Sequence, residues 1–97
     1  MKAKKKTVGV MGGMGPAATV AFMATIVNLT PADVDQDHVH TIVDNDPDVP
    51  ARQDAILRGG PSPVPAMAAM ARRLESAGAD FLVMPCNTAH AYSAQIE

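Results

Sequence analysis

TVGVMGGMGPAATVAFMATIVNL (residues 7–29) passes from a short apolar run through clustered glycines into a long stretch without a helix breaker. Thr7–Met11 has the length and composition of a buried strand. Gly12, Gly13 and Gly15 stop it, and Pro16 suits the first position of a helix, where a missing N–H costs nothing. PAATVAFMATIVNL (16–29) therefore reads as a helix. None of its faces carries a charged side chain, so such a helix expects cover on more than one side.

The same alternation continues along the chain. VHTIV (39–43) is a second strand, and DNDPDVPARQDAILRGGPSPVP (44–65) after it is a long connection with one or two helical turns at 51–58, a form common among functional loops. Ser62 and Pro63 open a helix that runs through Ala77. Its Met67, Met70, Ala71 and Leu74 form one stripe, Arg72, Arg73 and Glu75 lie off it, and Gly78 ends it. FLVM (81–84) is the third strand, and Asn87 or Thr88 caps a last helix. The order β-α-β-loop-α-β-α predicts an α/β fold, a three-layer domain on a parallel sheet with right-handed crossovers. With strands in the order 2-1-3, the segments following strands one and three leave on opposite faces of the sheet. They open the crevice in which α/β sheets bind ligands. Both the glycine turn and DFLVMPCNTAH (80–90) reach that crevice.

Ninety-seven residues allow one domain, read as a basic tail over 1–6 and a single α/β domain over 7–97. A hydrophobic share of 47% with 19% charged residues is that of a folded protein, and with aromatics at 3% the interior must be aliphatic. Lys2, Lys4, Lys5 and Lys6 hold half of the basic residues, leaving four basic against ten acidic residues after position 6. A body of this charge, without a basic stripe, argues against nucleic acid as a partner. The uncharged stretch from Thr7 to Ala32 behind KAKKK imitates a signal peptide, but its glycines and Pro16 fit neither that nor a membrane span. A cytoplasmic location is expected, and a lone cysteine, which cannot form an internal disulfide, agrees with it.

Four groups are candidates for chemistry. GGMGP (12–16) bares backbone amides at a helix start and favours an anion there; the simpler reading is a tight turn without a ligand. GMGPAA (13–18) also fits a loose dinucleotide pattern, but Asp44 at the end of the second strand lies too far along to meet a ribose. Cys86 stands where the third strand spills into a helix N-terminus, whose dipole and free amides favour thiolate over thiol. An inert packed thiol is the alternative. His90 is close to Cys86 in sequence but a turn into the helix. His38 and His40 are spaced to share one strand face and, with Asp37, to ligate a metal, for which no further ligand cluster is present. Arg52, in the proline-stiffened loop NDPDVPARQ (45–53), can grip a carboxylate with its fork or pair locally with Asp48 or Asp54. Asp44, Asp46 and Asp48 lack the glycine and glutamate of a calcium loop.

VGVMGGMGPAAT (8–19), NDPDVPARQ (45–53) and LESAGADFLVMPCNTAH (74–90), with their spacing, resemble the amino-terminal half of the aspartate/glutamate racemase family, in its aspartate racemase branch. PCNTAH after a strand is the most specific of these signals. The resemblance implies a cofactor-independent racemase in which two cysteines flank the substrate α-carbon, one thiolate removing the proton and the other thiol supplying one on the opposite face. Cys86 matches the first. By the same matching, Asn87 and Thr88 hold the substrate's amino or carboxylate group, and the Gly12–Gly13 loop with Met14, together with Asn45, lines the pocket. Arg52 would bind a carboxylate.

Ala51 stands where the family usually has an acidic residue. The family's second cysteine belongs to a second, pseudo-symmetric half, whereas this chain has one cysteine. The expected partner is thus a small dicarboxylic amino acid, with either a homo-oligomer or a missing carboxy-terminal half completing the site. Rival readings are a cysteine-dependent dicarboxylate isomerase or decarboxylase, and a non-catalytic half-domain that binds a carboxylate or serves only as structure.

Overall fold

The computed structural model describes residues 5–51, 56, 57 and 59–85. Three parallel strands, β1 (Thr7–Gly12), β2 (His40–Asn45) and β3 (Phe81–Val83), form one sheet in the order β2-β1-β3. Two helices, α1 (Pro16–Leu29) and α2 (Val64–Ser76), supply the crossovers, and a 3₁₀ turn at Asp35–Asp37 precedes β2. This is the predicted α/β architecture and strand order.

The two helices take opposite faces of the sheet. A Cβ on Gly9 would meet Leu74 and Ala79 at the α2 end, whereas one on Gly12 would meet Thr19 of α1. Positions of opposite parity in a strand point to opposite sides, so α2 lies over the Gly9 and Met11 face and α1 over the Val10 and Gly12 face. The larger core is on the α2 side, where Met11, Met14, Val49, Met67, Met70, Ala71 and Leu74 pack together. The stripe predicted for the second helix is the stripe that is buried.

α1 begins and ends where its sequence predicts. It buries only Thr19 and leaves Val20 and Leu29 65% and 78% exposed, so among the described residues its apolar surface stays partly uncovered. α2 is one residue shorter than expected at its carboxyl end. Its N-cap is Pro63, not the expected Ser62, and it has no side-chain cap; Ser62 Oγ accepts the Val64 amide at 3.2 Å just outside the helix. After Ser76 the Gly78 amide donates to Glu75 and the Ala79 amide to Leu74, with Gly78 at φ +107°, which is the Schellman arrangement.

β2 begins and ends later than its apolar run, because Asp44 and Asn45 continue the ladder opposite Met11 and Gly12. His38 closes the 3₁₀ turn and is not part of the strand, so it shares no strand face with His40. His40 Nδ1 lies 3.1 Å from Thr7 Oγ1 at the amino end of the sheet. There the Thr7 amide donates to Asp80 Oδ2 and the Asp80 amide to the Thr7 carbonyl, fastening the start of β1 to the entry of β3. The acidic residue that opens the third apolar run is a clasp. β3 itself ends at Val83, one residue short of the run, and the expected last helix lies outside the described residues.

Candidate active site

In a parallel sheet all strands deliver their carboxyl ends to one edge, so the segments leaving them are neighbours whatever their distance in sequence. Gly12 ends β1 beside Asn45, which ends β2, and Val83 ends β3 beside Val10. Of the predicted site residues, Gly12, Gly13, Met14 and Asn45 are described and are gathered at this edge. Arg52, Cys86, Asn87 and Thr88 lie outside the described residues, as does His90. Cys86 follows Pro85, the last residue described.

The glycines of the turn are required by packing within the chain. A Cβ on Gly12 would stand 2.6 Å from Thr19 Cγ2, and one on Gly13 would fall on the backbone of Asp46. Gly13 also has φ +97°, a conformation that side chains rarely adopt. Its amide donates to the buried Thr19 Oγ1 at 3.0 Å, so that N–H is occupied and does not serve an anion. The carbonyl of Gly12 accepts the Asp46 amide at 3.1 Å. The turn therefore bares fewer amides than its sequence suggests, because a threonine one turn into α1 folds back to satisfy it. Thr19 was visible only as the polar residue nearest the start of an otherwise apolar helix.

Met14 is buried in the core beside Met11 and Met67, and so pins the turn to the α2 layer. Asn45 is exposed, and its side chain has no hydrogen bond among the described residues. In the loop beyond it, Val49 is buried in the same core cluster as Met14. A single apolar residue between Asp48 and Pro50 was the signal for this anchor, which the sequence reading passed over.

Charge at the edge is organised by α2. Arg73 donates from Nε to Asp44 Oδ2 at 2.8 Å, and its Nη2 lies 2.7 Å from the same oxygen and 3.5 Å from Asp46 Oδ2. Asp46 Oδ1 in turn accepts the Asp48 amide at 2.9 Å. The sequence places Arg73 off the buried stripe and offers Asp48 or Asp54 as local partners for Arg52. Among the described residues, no group of three or more His, Cys, Asp or Glu side chains is gathered as metal ligands would be. No helix among them is long and apolar enough to cross a membrane.

Comparison with known proteins gives these elements a context. The broad-specificity amino-acid racemase RacX of Bacillus subtilis (strain 168) is 31% identical over 99 aligned positions, which take in 93% of this chain and 40% of that protein. The structure of an aspartate racemase from Picrophilus torridus superposes with a TM-score of 0.90 at 43% identity, over 95% of this chain and 40% of the other. The chain thus spans about two fifths of the length of each relative. The family described as Asp/Glu/Hydantoin racemase matches residues 11–97. That match takes in the glycine turn, the Asp46 loop and the segment after β3, and on it the chain belongs to the Asp/Glu/Hydantoin racemase family.

Proposed function

We propose that this chain supplies one face of a cofactor-independent amino-acid racemase site acting on aspartate or glutamate, with Cys86 as its base. The observation that carries the reading is family membership joined to placement. Gly12, Asn45 and the exit of β3 toward Cys86 share one sheet edge, in a chain of racemase kinship. In this reading Arg52 binds a carboxylate, and Asn87 and Thr88 hold the amino or carboxylate group. The Gly12–Gly13 turn, Met14 and Asn45 shape the pocket floor.

The chemistry asks for this division of labour. Removing an α-proton beside an ionised carboxylate builds negative charge on carbon and carboxylate, which fixed donors must stabilise where water is kept out. The Cys86 thiolate takes the proton and becomes a thiol, while the electron pair stays delocalised over the α-carbon and carboxylate. Inversion needs a proton delivered to the opposite face by a second acid. The chain holds one cysteine, so a second copy or a carboxy-terminal half would bring the other, and the chain by itself does not racemise.

A one-base site still exchanges. Incubated in D₂O with each enantiomer of aspartate and glutamate, the protein is expected to wash the α-proton out of one enantiomer without inverting it. Cys86→Ser should abolish the exchange, since an alcohol is a far weaker acid than a thiol. Absence of exchange in the intact protein, with aspartate still bound, would leave a carboxylate-binding half-domain. Loss of CO₂ or a rearranged product would point to a decarboxylase or isomerase.

A further inference from the structure

We propose that Thr19 is a positioning residue: it locks the peptide joining Gly12 to Gly13 in one orientation and so gives the floor of the proposed pocket a single shape. The two hydrogen bonds at the turn belong to one peptide group. Its carbonyl, on Gly12, accepts the Asp46 amide at 3.1 Å, and its N–H, on Gly13, donates to Thr19 Oγ1 at 3.0 Å. The two poles of a trans peptide point in opposite directions, so the group is strung between the loop after β2 and the start of α1. Thr19 is 3% exposed and aims its one polar side-chain atom at this place. Its hydroxyl also donates to the Gly15 carbonyl at 3.3 Å, and thus holds the chain on both sides of Met14. Its methyl group fills the space beside Gly12, where an added Cβ would stand 2.6 Å from Cγ2.

A peptide between two glycines meets no side chain of its own as it rotates, so it turns over more easily than others. The inference rests on the proposed racemase site, in which this turn lines the pocket, and adds to it a residue that does not itself touch substrate. A freed peptide divides its time among orientations, of which one fits the ligand. Apparent affinity then falls by the fraction of molecules in that orientation, while the bound complex and its rate stay the same. A residue that serves stability alone leaves the opposite signature, because unfolded molecules lower the maximal rate and not the half-saturation.

The first test needs no substrate. Amide hydrogen exchange is followed by NMR in the intact protein, in Thr19→Val and in Thr19→Ser, each rate taken relative to the Val10 amide in the central strand, which reports global opening. Thr19→Val should speed exchange about tenfold at the Gly13 amide, which loses its acceptor. The Asp46 amide should speed up with it, although the substitution leaves its donor and its acceptor in place, because both bonds hang on one peptide. Thr19→Ser keeps the hydroxyl and should hold both rates near those of the intact protein. An Asp46 amide unmoved in Thr19→Val would overturn the lock.

The second test reads the consequence for ligand. In Thr19→Val the aspartate concentration at half-maximal α-proton exchange should rise about three- to tenfold, with the maximal rate per folded molecule nearly unchanged and Thr19→Ser restoring the intact value. Gly78→Ala, which perturbs the chain between α2 and β3, should leave the half-saturation where it was. An unaltered half-saturation in Thr19→Val, or a fall in maximal rate alone, would overturn the positioning role. If the intact protein exchanges no α-proton while the paired amide effects appear, the racemase reading fails and the lock stands.

Discussion

A methyl group at position 9 would come within 2.7 Å of Leu82 Cδ2 and 2.8 Å of Ala79 Cβ, and the second of these cannot swing away. Gly9→Ala is therefore expected to lower stability by about 1–3 kcal/mol, the cost of overpacking a fitted interior, read as a shift in the urea midpoint at constant slope. Thr19→Val keeps the shape of the side chain but leaves the buried Gly13 amide without its acceptor. A loss of about 1–3 kcal/mol follows from that unsatisfied donor, and Thr19→Ser should recover most of it in the same titration. Glycines 12 and 13 were legible in the sequence as a turn, but the reason for them was not. Their neighbours are Thr19 and Asp46, and only the fold brings the second of these beside the turn. For the same reason the partners of Arg73 were not legible: its carboxylates lie at the end of β2 and just beyond it. Arg52 and Cys86 are proposed from local motifs and lie outside the described residues.

Elements were easier to read than contacts, since their causes are local. Pro16 at one end and an unbroken apolar run fixed α1 end for end, and the Met67, Met70, Ala71 and Leu74 stripe fixed the buried side of α2. β2 was misplaced at its end for a physical reason: Asp44 and Asn45 are poor strand formers, held in the ladder by pairing with β1. The stop of α2 offers a test that separates backbone conformation from packing. Gly78 has φ +107° with open space where a Cβ would go, whereas Gly9 is crowded at ordinary φ. Gly78→Ala should therefore cost about 1 kcal/mol through conformation alone, and Gly78→Asn, which tolerates the left-handed region better, should cost less in thermal unfolding.

For the whole molecule, the two faces of the sheet are unequally served. α2 covers its side with a packed methionine-rich core, while α1 leaves Val20, Val27 and Leu29 exposed, and Phe81 at the start of β3 is exposed as well. Val20→Glu with Val27→Lys is expected to reduce self-association in sedimentation velocity while changing stability by less than about 0.5 kcal/mol per site, because surface positions contribute little to the fold itself. An unchanged sedimentation profile would show that this surface does not bring copies together. The clasp between Thr7 and Asp80 has a different consequence, which belongs to biosynthesis. β1 is made before β2 and β3 yet lies between them in the sheet, so one of its two flanks waits until Asp80 and β3 have left the ribosome. Pairings between ends so far apart form slowly. The nascent chain accordingly holds an apolar central strand half-dressed until β3 emerges, an interval in which a chaperone has something to bind.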